Sequence, residues 1–285
     1  MYLGLYGLQH EPFRLSPDLR FLHLAETHKC FLRSMLEGVG ARRGLQVATG
    51  PVGTGKTTLL YGLQHLLAKR ASGERPLQSA FLINPTLSPE EFHEALLIEL
   101  EISCTDSKPA RLRALHELLL NSYRANGNVV LIVDEAHLVS PAVLEEIRLL
   151  QNLDNYSRNV LQIILCGQPE LLPLLERPEL AALKQRIAVY SHLRALVVGE
   201  TRAYVAERLH VAGLRGDSPF TAVAIEEIHR FSGGVPRLIN LLCDRCLNLG
   251  HRQQMGKIGS DCVLEAADEL NLAESRRPWP AINKS

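Results

Sequence analysis

Gly50-Pro51-Val52-Gly53-Thr54-Gly55-Lys56-Thr57 fills every fixed position of the pattern Gly-x-x-x-x-Gly-Lys-Thr. In such a loop the glycines let backbone N–H groups turn inward around phosphates, the lysine neutralises the β and γ oxygens, and the threonine offers a hydroxyl to Mg²⁺. Its flanks suit that role. Leu45-Gln46-Val47-Ala48-Thr49 reads as a short strand, and the segment from Thr58 to Leu67 puts Leu59, Leu60, Leu63, Leu66 and Leu67 on one helical face. The helix N-terminus then points at the phosphates, where its partial positive charge favours an anion. Residues Gly50 to Thr58 are therefore the candidate binding site of a nucleoside triphosphate, with Lys56 its principal cation and Thr57 a metal ligand.

Working outward, strand and helix signals alternate. Gln78 to Ile83 is a strand ending at Asn84-Pro85, and Ser88-Pro89-Glu90-Glu91 opens a helix with Ser88 as cap, Pro89 in the first turn and Glu91 completing a capping box. A helix over Ala110 to Ala125 stops at Asn126-Gly127-Asn128. Val129 to Val133 is a continuous apolar, mostly β-branched run of the kind covered on both faces, and Ser140-Pro141 starts a helix with Val143, Leu144, Ile147, Leu150 and Leu153 as its stripe. Val160 to Cys166 is a further strand. This order implies a parallel sheet flanked by helices, of α/β class, with right-handed crossovers. From about Leu196 the pattern changes to helices at Thr201–His210, Thr221–Phe231, Pro236–Leu249 and Asp261–Leu272, a small all-helical lid. The expected division is an N-terminal segment over 1–25, a nucleotide-binding core over 26–195, the lid over 196–272 and a loose tail over 273–285.

A second motif stands at the end of the Val129–Val133 run, which delivers Asp134 and Glu135, followed by Ala136-His137. Beside a phosphate loop, these carboxylates suit a water-mediated hold on Mg²⁺ by Asp134 and polarisation of the attacking water by Glu135. The pair defines an additional-strand ATPase provided a strand lies between the two motifs, and Val160–Cys166 is expected to neighbour that inserted strand. Gln168, at its polar end, falls where a γ-phosphate sensor belongs. Asn84 would similarly hold Glu135 away from water until a partner binds. Arg186, near the end of the α/β part, is positioned as an arginine finger for a neighbouring subunit, and Arg237 in Gly233-Gly234-Val235-Pro236-Arg237 as a phosphate contact from the same chain.

Composition narrows the classes. The 285 residues suffice for two packed units, and 31 basic against 31 acidic side chains give no global pull towards nucleic acid or anionic lipid. The six cysteines lack paired metal spacing, and the isolated Cys243-x-x-Cys246 reads as helix residues in a reducing cytosol. Glu11, Arg14, Asp18 and Arg20 interrupt any signal-peptide run, and no window reaches the ~20 apolar residues of a membrane span.

With these residues in place the chain resembles an AAA+ ATPase of the ExeA/GspA type, the general secretion pathway protein A family, whose relatives include the transposition ATPases MuB and TniB. The likeness runs through Met1-Tyr2, Tyr6-Gly7-Leu8, Glu11-Pro12-Phe13, Leu15-Ser16-Pro17-Asp18, Arg20-Phe21-Leu22 and His28, then the phosphate loop, Val133-Asp134-Glu135-Ala136-His137, Gly167-Gln168-Pro169-Glu170-Leu171, Gln185-Arg186-Ile187, Glu200-Thr201 and Gly233 to Asn240. The resemblance implies ATP and Mg²⁺ as ligands, Pro12 and Phe13 flanking the adenine, Gln168 as sensor 1, Arg186 as the finger and Arg237 as sensor 2. It further implies a homo-oligomer, ring or filament, with ATP turnover coupled to assembly or remodelling of a secretion or envelope complex, in the cytoplasm or peripheral at the inner membrane through a partner. The alternative is an ATP-dependent transposition regulator that binds duplex DNA. Family members continue into a membrane span and a periplasmic peptidoglycan-binding part, and Ser285 precedes both, so the chain reads either as a soluble member acting through a partner or as a fragment.

Overall fold

The computed structural model describes residues 2–16, 19–21, 24–71, 76–83, 86–103, 107–154 and 159–272. Asn84, residues 72–75, Met1, Pro17, Asp18 and Leu22 of the N-terminal motifs, and residues 273–285 lie outside the described residues. The chain divides into two compact units. One comprises His28–Val52 and Lys56–Arg194, the other Met1–Thr27, Gly53–Gly55 and Ala195–Ser285.

The first unit holds a five-stranded parallel sheet in the order β2-β3-β4-β1-β5. Its strands are β1 Leu45–Thr49, β2 Leu77–Leu82, β3 Asn128–Val133, β4 Leu161–Gly167 and β5 Ile187–His192. Helices α1 Glu26–Gly40, α2 Lys56–Ala71, α3 Pro89–Glu99, α4 Lys108–Arg124, α5 Pro141–Leu153, α6 Leu171–Leu175 and α7 Ala181–Lys184 accompany them. Every residue of β1 and β4 is buried, because both faces are covered. Leu45 and Val47 join the core built with α3, α4 and α5, whereas Gln46 faces α1, where Gly38 leaves room for its side chain.

The expected strands and helices appear in the expected order; α1, α6 and α7 come in addition, and two strands differ from expectation. β4 does not neighbour the inserted strand: it is the inserted strand, hydrogen-bonded to β1 on one side and β3 on the other. β5 carried no uninterrupted apolar run because it is an edge strand whose residues alternate between half-buried and exposed. Within α2, Leu59, Leu60, Leu63 and Leu67 are buried as the stripe requires, but Leu66 is 36% exposed at the stripe's rim.

Local signals set the helix starts. Ser88 Oγ accepts from Glu91 N–H while the Glu91 carboxylate accepts from Ser88 N–H at 2.7 Å, the reciprocal box that opens α3. Ser107 and Ser140 cap α4 and α5 by the hydroxyl alone, accepting from the N–H of Ala110 and of Val143. Three helices are then tied at one point: Glu146 on α5 accepts from Lys108 Nζ at 2.7 Å and pairs with buried His93 Nε2 at 2.9 Å. Burial pushes the Glu146 carboxyl up, but the Lys108 and His93 hydrogen bonds outweigh it and hold the group below its usual 4.5. The folded value being depressed, the stabilisation is full above the usual carboxylate pKa and is lost as pH falls through the lowered folded value. Glu146→Gln is expected to cost about 1–3 kcal/mol at neutral pH, and the difference from wild type to shrink in acid, as denaturant titrations at the two pH values would measure.

The second unit contains α8 Val198–Val211, α9 Ala222–Ser232, α10 Pro236–Arg252 and α11 Ser260–Glu269. Its core is shared with the N-terminal segment: Tyr2, Tyr6, Leu8, Phe13 and Phe21 are buried among Leu209, Ile239, Leu242, Cys243, Cys246 and Leu247. Polar ends anchor these aromatics. Tyr2 donates to Asp244 at 2.8 Å, Tyr6 donates to the Met255 carbonyl at 3.0 Å, and Arg208 donates to the Pro12 carbonyl at 2.5 Å. Burial raises the Tyr6 hydroxyl to about 12. No helix among the described residues is long and apolar enough to cross a membrane.

Candidate nucleotide site

Because all five strands run the same way, the segments after β1, β3 and β4 leave from one rim of the sheet. β4 sits between the other two, so Gly50, Gln168 and Asp134 follow three adjacent strands in the order β1, β4, β3. Gly50 N–H donates to the Gly167 carbonyl at 3.2 Å, which ties the start of the phosphate loop to the end of the inserted strand.

The loop has the backbone that cradles phosphates. Gly53 and Gly55 stand at φ +78° and +94°, a region open to glycine and strained for other residues. Thr54 is buried and Val52 is exposed, so neither side chain is required to face an anion. Pro51 and Thr58 are half-buried beside them. Lys56 Nζ donates to the carbonyls of Gly50 at 2.8 Å and Pro51 at 3.0 Å. An ammonium has three donors, so one N–H remains for a phosphate oxygen.

Thr57 Oγ1 donates to Asp134 Oδ2 at 2.5 Å, which joins the two motifs directly. Asp134 Oδ1 accepts from Glu135 N–H at 2.8 Å. Burial pushes the Asp134 carboxyl above its usual range even against the Thr57 hydrogen bond. A hydroxyl and a buried carboxylate short of positive charge are the hard oxygen donors that Mg²⁺ takes, with the remaining positions left to water and phosphate. The residues therefore fit the metal. Among the described residues no group of three or more His, Cys, Asp or Glu forms a separate metal site.

Glu135 adopts φ 49° and ψ 34°, left-handed backbone that costs a non-glycine residue about 1–2 kcal/mol. The turn leaves its side chain 36% exposed, while His137 behind it is 10% exposed. His137 Nδ1 accepts from Gln168 N–H at 3.4 Å. Gly167 permits this approach, since a Cβ there would lie 2.9 Å from His137 N. Gln168 is half-buried and Asn84 lies outside the described residues.

In the helical unit, Arg237 N–H donates to the Gly53 carbonyl at 3.2 Å, and a Cβ on Gly53 would meet Arg237 Cβ at 2.9 Å. The start of α10 thus packs on the loop's second glycine. Phe13, by contrast, is 2% exposed and meets Phe220 edge-to-face at 6.1 Å between ring centroids. The Pro12 carbonyl accepts from Arg208, so both residues are built into the core of the helical unit. The aromatic motif was legible, but helical cores and purines draw on the same residue types.

Arg186 immediately precedes β5, whose first residue pairs with Leu45 at the start of β1. It therefore lies at the opposite rim from the phosphate loop, about four residues or ~13 Å along the strand. Its guanidinium donates to Asn152 Oδ1 at 2.6 Å and to the Arg148 carbonyl at 3.2 Å. Together with Arg43, Asp154 and Asn159 it lines a cavity of about 310 Å³.

Comparison with known proteins agrees with this geometry. A family described as "AAA domain" matches residues 40–175. General secretion pathway protein A of Aeromonas hydrophila is 36% identical over 283 residues, 98% of this chain and 50% of that protein, so the chain spans about half the length of the curated relative it matches. Among solved structures, Drosophila ORC bound to DNA aligns with a TM-score of 0.67 at 18% identity, covering 95% of this chain and 68% of that one. The Thermotoga maritima RuvB Holliday junction branch migration motor aligns at 0.57 and 21%, covering 90% and 72%. At such identities these structures speak to the fold, a P-loop sheet with a helical C-terminal part. The chain thus carries an AAA domain over residues 40–175 and is similar, over nearly its whole length, to general secretion pathway protein A.

Proposed function

We propose that the chain is an Mg²⁺-dependent ATP hydrolase that works as a homo-oligomer, ring or filament, and couples ATP turnover to assembly or remodelling of a secretion or envelope complex. Its place is the cytoplasm or, through a partner, the inner membrane surface. The observation that carries the reading is the 2.5 Å contact between Thr57 and Asp134, with Glu135 as the next residue. Loop amides from Gly50 to Thr58 and the free Lys56 N–H bind the β- and γ-phosphates. Thr57, and Asp134 through water, would hold Mg²⁺, which would supply further neutralisation of those oxygens. Glu135 takes a proton from a water whose oxygen bonds to the γ-phosphorus as the bond to the bridging oxygen breaks and ADP leaves. Gln168, at the end of β4, is assigned the sensor 1 role, and Arg237 the sensor 2 role. Asn84 restrains Glu135.

Arg186 serves the γ-phosphate of a neighbouring copy. Its position at the far rim of the sheet supports this, because its own loop is out of reach. The secretion role is supported by the similarity to a protein of that name, of which half lies beyond this chain.

The test is ATP turnover per subunit across a concentration series, for wild type, Arg186→Ala and mixtures of Arg186→Ala with Lys56→Ala. Turnover should rise with concentration, fall at least about tenfold in Arg186→Ala, and partly return in the mixture, where each variant supplies what the other lacks. Concentration-independent turnover that survives Arg186→Ala would sink the shared site. Stimulation by duplex DNA would favour the DNA-binding regulator instead.

A further inference from the structure

His137 has no part in the hydrolysis just outlined, yet its Nδ1 lies 3.4 Å from two groups of opposite polarity. One is the Gln168 N–H, which donates to it, and the other is Glu135 Oε2. That Oε2 is buried with no hydrogen-bond partner, so the open side of the Glu135 carboxylate is its other oxygen. The imidazole is pressed against the end of β4 only because residue 167 lacks a side chain: a Cβ would stand 2.9 Å from His137 N and 3.4 Å from Nδ1.

One ring nitrogen cannot serve both neighbours. With the ring proton on Nε2, the Nδ1 lone pair accepts the Gln168 N–H and offers Oε2 no donor. With the proton on Nδ1, the ring donates to Oε2 and the Gln168 N–H loses its acceptor. The first arrangement fixes the Gln168 strand end and leaves the carboxylate undamped as a base, whereas the second frees the strand end and weakens the carboxylate. We infer that His137 is a positioning residue for Glu135, relaying the position of the Gln168 strand end to the carboxylate through the choice of partner at Nδ1. The inference rests on the hydrolytic reading above. It extends that reading by joining the phosphate-sensing strand to the water-activating residue inside one subunit.

The test compares the full chain as wild type, His137→Ala, His137→Asn and His137→Gln in ATP turnover, ATP affinity and thermal midpoint. Asn sets an amide oxygen at the place of Nδ1, whereas Gln reaches the place of Nε2. His137→Ala should lose at least about tenfold in kcat with ATP affinity within about twofold of wild type. His137→Asn should return to within about threefold of wild type, while His137→Gln stays low at a similar thermal midpoint. Should the alanine variant fail to fold, the Asn and Gln comparison still decides. Wild-type kcat in His137→Ala, or equal rescue by Gln and Asn, would make the ring a spacer and overturn the inference while leaving the ATPase standing. A wild-type chain that binds ATP and never turns it over would overturn both.

Discussion

Glu135→Gln is expected to lower ATP turnover by about 10²–10⁴-fold while ATP still binds. The substitution is nearly isosteric and keeps the left-handed φ of 49°, so the turn and the Glu135 N–H bond to Asp134 persist. Lys56, the loop amides and the Thr57–Asp134 contact are untouched, so the binding elements remain. What disappears is the proton acceptor. The new amide can also donate to His137 Nδ1, now 3.4 Å from Oε2, which would fix the side chain further. Steady-state turnover beside equilibrium binding of a fluorescent ATP analogue separates the effects. Turnover near wild type would mean that the base lies elsewhere.

Gly234→Ala is expected to destabilise the helical unit by about 2–5 kcal/mol, combining left-handed backbone with overpacking. Gly234 has φ +75°, and a Cβ there would stand 2.0 Å from the Leu196 carbonyl oxygen and 3.0 Å from its carbon. These are backbone atoms, which cannot swing aside. The same glycine accepts from Leu196 N–H at 2.9 Å and donates to Ser232 Oγ at 3.2 Å, so relief of the clash breaks the turn that leads into α10 and Arg237. Gly233→Ala is the internal control: its φ is +58° but nothing lies within 4 Å of the added carbon. It should cost only about 1–2 kcal/mol. Denaturant titration of the three proteins reads the difference, and equal stability of both variants would remove the steric argument.

Much of the α/β unit was legible because its signals are local. Ser88 and Glu91 form their box whatever surrounds them, and the apolar, mostly β-branched Val129–Val133 run has few alternatives to a strand covered on both faces. The helical segments of the C-terminal part were legible for the same reason, from apolar period and glycine punctuation. β5 was missed because an edge strand with alternating exposure looks like a loop with scattered apolar residues. The packing of Phe13 against Phe220 was not legible, because that core is assembled from residues far along the chain.

In the candidate site the same division applies. Gly53, Gly55, Lys56 and Thr57 announce a phosphate loop from the sequence alone, since their spacing encodes a backbone shape that forms within eight residues. Asp134 and Glu135 were recognisable as a pair at a strand end. His137 gave no such signal, because its interest comes from Gly167 and Gln168 on a different strand, brought within 3.4 Å only by sheet register.

The chain order of residues by itself thus determined the phosphate loop, the acidic strand end, the alternation of strands and helices and the change to an all-helical part, all properties of short-range spacing and backbone preference. Only the tertiary structure decided that β4 runs between β1 and β3, that Thr57 meets Asp134, that Arg186 stands at the opposite rim from its own loop, and that the N-terminal aromatics complete a helical core. Strand order and long-range side-chain contacts depend on how several amphipathic faces are buried together, and no local segment carries that information.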